Sequence, residues 1–117
     1  MKKIIRHEIN EDWAHTGFIE AGEFIYTSYC VGNPDGIIEE QINGAIDCLE
    51  NRLNSIGLTL DAVIKFDAMF KNVWDIPNME KVLKERFKGI YPARKSIQTD
   101  FAHEGLLFQL DAVAYRG

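Results

Sequence analysis

The feature that most constrains the fold is an amphipathic segment over residues 42–56. Its apolar side chains recur at intervals of three and four residues, which places them on one face of an α-helix. Gly57 stands where a left-handed residue commonly ends a helix. A helix that is apolar on one face only must cover another layer, and we expect that layer to be a β-sheet. The apolar positions are Ile42, Ala45, Ile46, Leu49, Leu53 and Ile56.

Strands are predicted on both sides of this helix. Residues 2–9 favour a short edge strand, residues 10–17 favour a loop, and residues 24–31 are rich in the aromatic and β-branched types typical of strands. Turn-forming residues occupy 32–36. Residues 62–70 alternate in the manner of a half-buried strand. We expect Ile64, Phe66, Ala68 and Phe70 on one side of it, and Val63, Lys65, Asp67 and Met69 on the other.

A second helix and two further strands complete the chain. The helix is predicted to open at Asp75-Ile76-Pro77, because proline fits the first turn, and to close at Gly89. Strands are predicted at about 94–101 and 106–115, joined as a hairpin through residues 103–105. The order of elements predicts a single α+β domain over residues 1–117, with two long helices on one face of a mixed sheet. The other sheet face is expected to meet a second copy.

Composition excludes several classes of function. The chain has 117 residues, a net charge of −5 and no apolar run approaching a membrane span, so we expect no membrane partner and a cytoplasmic location. Acidic charge disfavours nucleic-acid binding. A basic cluster around the second helix is best explained as a solvated helix face. Contact with RNA is the lesser alternative. The cluster comprises Lys81, Lys84, Arg86, Lys88, Arg94 and Lys95.

No metal or cofactor is predicted. His7, His15 and His103 are scattered through the sequence, and no phosphate-binding glycine loop occurs. Cys30 and Cys48 have neither a CxxC spacing nor a metal-ligand spacing, so free thiols in a reducing compartment are expected.

Arg94 is the strongest candidate for a binding residue. It follows Pro92 and Ala93 at the start of a predicted strand, and a guanidinium can bind a carboxylate through two parallel hydrogen bonds. The alternative is a salt bridge to an aspartate or glutamate of the protein itself. Only the structure can decide between a ligand-binding arginine and an internal salt bridge.

Polar residues of the last predicted strand are candidates for handling water. Gln109 and Asp111 lie on its mixed side. Glutamine can hold a water molecule but cannot take its proton, whereas Asp111 could act as a base if burial raised its pKa; a solvated or ion-paired Asp111 is the alternative. Ser28 could donate a hydrogen bond to a ligand. Cys30 is expected to be a small buried thiol unless its pKa is lowered.

These segments together resemble the RidA/YjgF family of imine and enamine deaminases. The resemblance covers roughly residues 17 to 115. It rests on the segments Phe24-Ile25-Tyr26-Thr27-Ser28, Gln41…Ala45…Leu49…Leu53…Gly57, Leu60-Asp61-Ala62-Val63-Ile64-Lys65, Phe87, Pro92-Ala93-Arg94, and Gln109-Leu110-Asp111-Ala112-Val113-Ala114.

The resemblance implies a chorismate-mutase-like fold assembled as a homotrimer, with clefts between subunits. It implies hydrolysis of small 2-imino or enamino acids to 2-keto acids and ammonia, without a cofactor. Arg94 would bind the substrate carboxylate, and Ser28, Tyr29 and His15 would line the substrate site. A small-carboxylate-binding protein without turnover is the alternative.

This chain departs from the family pattern at several of these positions. Gln109 replaces the water-handling glutamate, Tyr29 replaces a glycine, His15 takes the place of a tyrosine, and Glu80 stands where the second helix often has an asparagine. The sequence therefore predicts that the carboxylate anchor is retained and the water-handling group is altered.

Overall fold

The computed structural model describes residues 3–117, and within them six strands form one mixed sheet. Lys2, at the start of the predicted first strand, lies outside the described residues. The strand order is β1-β2-β3-β6-β4-β5, with β4 and β5 parallel and the other neighbours antiparallel. The strands are β1 (Ile4–Asn10), β2 (His15–Ala21), β3 (Phe24–Thr27), β4 (Val63–Phe70), β5 (Ala93–Gln98) and β6 (Phe108–Tyr115); the helices are α1 (Ile38–Asn54) and α2 (Ile76–Phe87).

The core lies between the two helices and one face of the sheet. The apolar stripe predicted for the first helix is buried from Ile42 to Leu53, and Met79, Val82, Leu83 and Phe87 of α2 join it. The apolar side of β6 is buried as the alternation predicts, from Phe108 to Ala114. The α+β architecture with both helices on one sheet face is therefore confirmed.

The predicted hairpin between the last two strands is wrong. β6 lies between β3 and β4, while β5 pairs in parallel with β4 at the edge of the sheet. Alternation shows where a side chain points but not which strand lies beside it. β6 buries one side and half-buries the other, which suits a central strand, whereas β5 is largely exposed, as edge strands are.

Near the N-terminus, the strand β2 was not predicted, and β3 is shorter than predicted. Residues 15–17 were expected in a loop but begin β2, which pairs with both β1 and β3. These residues lack the apolar alternation that reveals a strand, but the two neighbouring strands satisfy the backbone hydrogen bonds of β2. β3 ends at Thr27, and beyond it only an isolated bridge from Cys30 to Leu110 continues the pairing.

A β-bulge changes the predicted facing of β4. The register shifts between Val63 and Lys65, so that Val63 is buried and Ile64 is 45% exposed. The alternation holds from Lys65 onward, with Phe66, Ala68 and Phe70 in the core. An extra residue in one strand reverses the side-chain direction before it, which the sequence pattern does not indicate.

Candidate functional site

Arg94 lies in a cavity of about 270 Å³ between α2 and the start of β5. Its Nη2 donates to Oε2 of Glu80 at 2.9 Å. Leu83 and Lys84 form the α2 wall, while Tyr91 and Pro92 form the wall that leads into β5. We call this set the arginine site. The sequence left open whether Arg94 is free for a ligand or forms a salt bridge within the protein. In the protomer it forms the salt bridge.

The ion pair between Arg94 and Glu80 is partly exposed. The Arg94 and Glu80 side chains are 32% and 46% exposed, and exposed ion pairs contribute about 0–1 kcal/mol. A ligand carboxylate can offer the guanidinium two acceptors in place of the single hydrogen bond from Glu80. The ion pair with Glu80 therefore holds Arg94 only weakly.

The end of α2 positions Arg94. Lys88 and Gly89 both have positive φ, at 51° and 90°, so the helix ends in successive left-handed residues. The chain then turns back and enters β5 beside β4, where Arg94 pairs in register with Phe66. Glu80 and Arg94 meet because this turn folds the strand back against α2.

Gln109 lies in a second and larger cavity, of about 790 Å³, on the sheet face away from the helices. Tyr29, Met69 and Trp13 line it, together with the connection that precedes β6. Trp13 is 73% exposed. We call this set the glutamine site. Gln109 and Tyr29 thus line the same cavity.

His15 and Ser28 lie beside the glutamine site. The His15 ring is 5.3 Å from the Tyr29 ring, and its Nε2 is buried without a hydrogen-bond partner among residues 3–117. A buried nitrogen of this kind is costly unless something binds it. The Ser28 hydroxyl donates to the Gly17 carbonyl at 2.9 Å, so only its lone pairs are free for a ligand.

Arg94 and Gln109 point to opposite faces of the sheet. Arg94 is in register with Phe66, a buried residue on the helix side. Gln109 is in register with Met69, which pairs in turn with Ile97 on the open side. Since residues paired across strands share a face, the two predicted catalytic residues cannot meet within one protomer.

Ser96 follows Arg94 on β5 but does not line the cavity around it. Its hydroxyl is buried and has no partner within the described part of the chain, and it lies on the same side of β5 as Arg94.

Half of the predicted basic cluster is paired with carboxylates. Arg86 contacts Asp47 and Glu50, at 2.8 and 3.3 Å, and Lys81 lies 3.8 Å from Glu39. Arg94 is also paired, whereas Lys84, Lys88 and Lys95 form no salt bridge within the described residues. Among residues 3–117 no group of side chains suited to a metal ion is found, and no helix there is long and apolar enough to cross a membrane.

Asp111 lies directly opposite Asp67 on the open sheet face. Burial raises the pKa of Asp111, and the neighbouring Asp67 carboxylate adds to the effect. A raised folded-state pKa means that the charged form is disfavoured by folding. Stability should therefore increase as pH falls from neutral through the folded pKa toward the ordinary value of 3.8.

We accordingly expect Asp111→Asn to raise the midpoint of urea unfolding at pH 7 and to weaken its dependence on pH between 4 and 7. Removing the charge removes both the burial penalty and the repulsion from Asp67. Exposed Asp12, changed to asparagine, is the matched control. If the Asp111→Asn protein unfolds at a lower urea concentration than the parent at pH 7, the repulsion is not the dominant effect.

A family model described as endoribonuclease L-PSP matches residues 7–116. The chain belongs to this family, the RidA/YjgF family. The family resemblance predicted from the sequence is thereby confirmed. A RutC family protein of Pyrococcus abyssi is 27% identical over 105 residues, covering 84% of this chain and 83% of the relative.

Solved structures agree with this assignment. A hypothetical protein from Streptococcus pyogenes M1 GAS, described as a member of the yjgF family, is 61% identical, with a TM-score of 0.95 over 98% of both chains. Rv2704 of Mycobacterium tuberculosis, of the YjgF/YER057c/UK114 family, is 19% identical, with a TM-score of 0.87 over 97% of this chain and 99% of its own. The second similarity shows the fold alone, which is consistent with the predicted chorismate-mutase-like α+β class.

Proposed function

We propose that the chain hydrolyses small 2-imino or enamino acids to 2-keto acids and ammonia, in a cleft formed by the arginine site of one protomer and the glutamine site of another. The observation that supports this most directly is the placement of Arg94 and Gln109 on opposite sheet faces. A site that uses both residues requires a second copy of the chain. A homotrimer, which the family resemblance implies, and a cytoplasmic location are part of this proposal.

The open sheet face is suited to such assembly. Tyr26, Phe24 and Tyr115 are each at least 40% exposed, and the Phe24 ring lies 5.1 Å from that of Tyr115. Ile97 on the neighbouring edge strand is 48% exposed. Exposed apolar surface of this kind, next to polar groups, is typical of an interface between proteins.

In the proposed reaction, Arg94 binds the substrate carboxylate after Glu80 is displaced. An enamino acid first gains a proton on C3 and loses one from nitrogen, which gives the imine. Water held by the Gln109 amide then adds to the C=N carbon, its protons pass to the nitrogen, and the C–N bond breaks to release ammonia and leave the keto group. Gln109 can orient the water but cannot accept its proton. Displaced Glu80 lies beside the bound carboxylate and is the nearest group of the arginine site able to accept one.

The decisive measurement is keto-acid release from freshly generated 2-aminoacrylate. The parent chain should accelerate release over buffer, Arg94→Ala should not, and Gln109→Glu should be faster than the parent because it supplies a base. General-base catalysis is typically worth ~10²–10⁴-fold. Equal rates for the parent and Arg94→Ala would refute the proposed reaction.

Gln109 itself favours a second candidate, a carboxylate-binding protein without turnover. Such a protein would bind 2-ketobutyrate through Arg94 but leave 2-aminoacrylate hydrolysis at the buffer rate. Binding without acceleration would select this candidate.

For 2-ketobutyrate binding we expect Arg94→Ala to weaken affinity by about 10-fold or more, since a charge-assisted contact contributes about 1.5–3 kcal/mol. Arg94→Lys should recover only part of the loss because it lacks the fork geometry. Glu80→Gln should strengthen binding by removing the competing carboxylate. Calorimetry on the assembled protein measures all three. Weaker binding by Glu80→Gln would contradict the competition between Glu80 and the ligand.

A further inference from the structure

Two cysteines and an arginine lie beneath the Ser28–Tyr29 segment, and the proposed deamination uses none of them. Cys30 follows this segment and is fully buried, whereas Cys48 on α1 is partly exposed. Arg52 lies one helical turn after Cys48. A buried thiol, an accessible thiol and a cation in one place form a combination typical of reactive cysteine sites.

The backbone brings the two thiols together. Gly32 approaches α1 so closely that a Cβ there would lie 2.5 Å from the carbonyl carbon of Gly44. At the other end of the segment, Nη1 of Arg52 donates to the Tyr29 carbonyl at 3.1 Å and lies 3.3 Å from Sγ of Cys30. The chain from Cys30 to Gly32 therefore runs along α1, and Cys48 lies between the two contacts. Its thiol interacts directly with that of Cys30.

The surroundings favour ionisation of Cys48 over Cys30. The neighbouring Cys30 thiol lowers the pKa of Cys48 to about 6 despite partial burial, and Arg52 and the backbone of Val31 contribute to the lowering. The same interaction with Cys48, together with burial, raises the pKa of Cys30, whose thiol donates to the Ser28 carbonyl at 3.8 Å. The accessible sulfur is therefore the one that ionises first and meets an oxidant from solution.

We propose that Cys48 and Cys30 form a peroxide-reactive dithiol, in which Cys48 attacks the oxidant and Cys30 resolves the product as a disulfide. The Cys48 thiolate attacks one oxygen of hydrogen peroxide, the O–O bond breaks, and the leaving hydroxide takes a proton to become water. The Cys30 sulfur then attacks the Cys48 sulfenic acid, and its proton leaves with the hydroxyl group as a second water. The two thiols are oxidised by two electrons while peroxide is reduced to two waters.

Oxidation of Cys48 also prepares Cys30 for the second step. Sulfenic acid carries no charge at neutral pH, so the negative neighbour that keeps Cys30 protonated is removed. Arg52 remains 3.3 Å from Sγ of Cys30 and favours its ionised form. Because Ser28 and Tyr29 directly precede Cys30, the disulfide would form next to the glutamine site.

Hydrogen peroxide added to the purified full chain tests this inference. The expected product is an intramolecular disulfide, seen as the loss of two hydrogen atoms in the intact mass and as a Cys30–Cys48 peptide after digestion without reduction. Cys30→Ser should instead accumulate a Cys48 sulfenic acid that dimedone traps. Cys48→Ser, which leaves only the buried thiol, should not react under the same conditions.

Iodoacetamide labelling of the unmodified protein provides a test that depends on no variant. Labelling at Cys48 should keep more than half of its plateau rate down to pH of about 6, whereas Cys30 should stay unlabelled in the folded protein. The inference is overturned if peroxide yields neither the internal disulfide nor a trappable sulfenic acid, or if Cys48 labels only above the pH of an ordinary thiol. Neither outcome depends on whether the chain deaminates a substrate.

Discussion

Replacing Gln41 with methionine is expected to lower the free energy of unfolding by about 3 kcal/mol or more. Gln41 is the buried polar side chain of the core, with no exposed surface. Its Nε2 donates to the carbonyls of Gly36 and Gly105 at 3.0 and 2.9 Å, and its Oε1 accepts from the Leu107 amide at 2.8 Å. Methionine has a similar volume but leaves all three backbone groups without partners, at about 1–3 kcal/mol each.

Urea unfolding at one protein concentration measures this change. Asn51→Met, at an exposed position of the same helix, is the matched control and should change stability by less than about 0.5 kcal/mol. Gln41→Glu keeps the acceptor but loses both donated hydrogen bonds, so it should also be destabilising. A Gln41→Met protein as stable as the Asn51→Met control would show that these contacts are not maintained in solution.

Gly44→Ala is expected to destabilise the fold by about 1–3 kcal/mol, although alanine is the better helix former. Gly44 lies within α1, where propensity alone predicts a gain of about 1 kcal/mol. A Cβ at this position would lie 2.9 Å from the α-carbon of Gly32 and 2.7 Å from Nδ2 of Asn33. The Gly32 contact is with backbone, so the segment that carries Tyr29 and Cys30 must move away from the helix.

Helix propensity predicts that Gly44→Ala stabilises the protein, and the close contact with Gly32 predicts that it destabilises the protein. The sign of the measured change in stability therefore distinguishes the two. Asn51→Ala on the exposed side of α1 has no such neighbour and should be stabilising by a few tenths of a kcal/mol. If Gly44→Ala also stabilises the protein, the close approach of the segment to α1 is not present in solution. If it destabilises, the same variant should increase the labelling of Cys30, because the displaced segment no longer covers that thiol.

Much of the fold could be predicted from periodicity. The spacing of apolar residues in α1 reports the face that is buried, because a helix places every third or fourth side chain on one side. The alternation of β6 places Leu110 and Gln109 on opposite faces of the sheet, because successive side chains of a strand point to opposite sides. Helix ends near Gly57 and Gly89 were predictable because few residues other than glycine adopt positive φ at low cost.

Strand pairing and the separation of Arg94 from Gln109 could not be predicted this way. Periodicity describes how a side chain points relative to its own backbone, and it is unchanged whether the neighbouring strand is β5 or β3. The insertion of β6 beside β4, the bulge after Val63 and the pairing of Arg94 with Glu80 all depend on residues distant in sequence. The amino-acid sequence by itself determined both helices, most of the strands and most of their buried faces. Only the tertiary structure decided that Arg94 and Gln109 lie on opposite sheet faces, because strand neighbours are selected by packing across the whole chain.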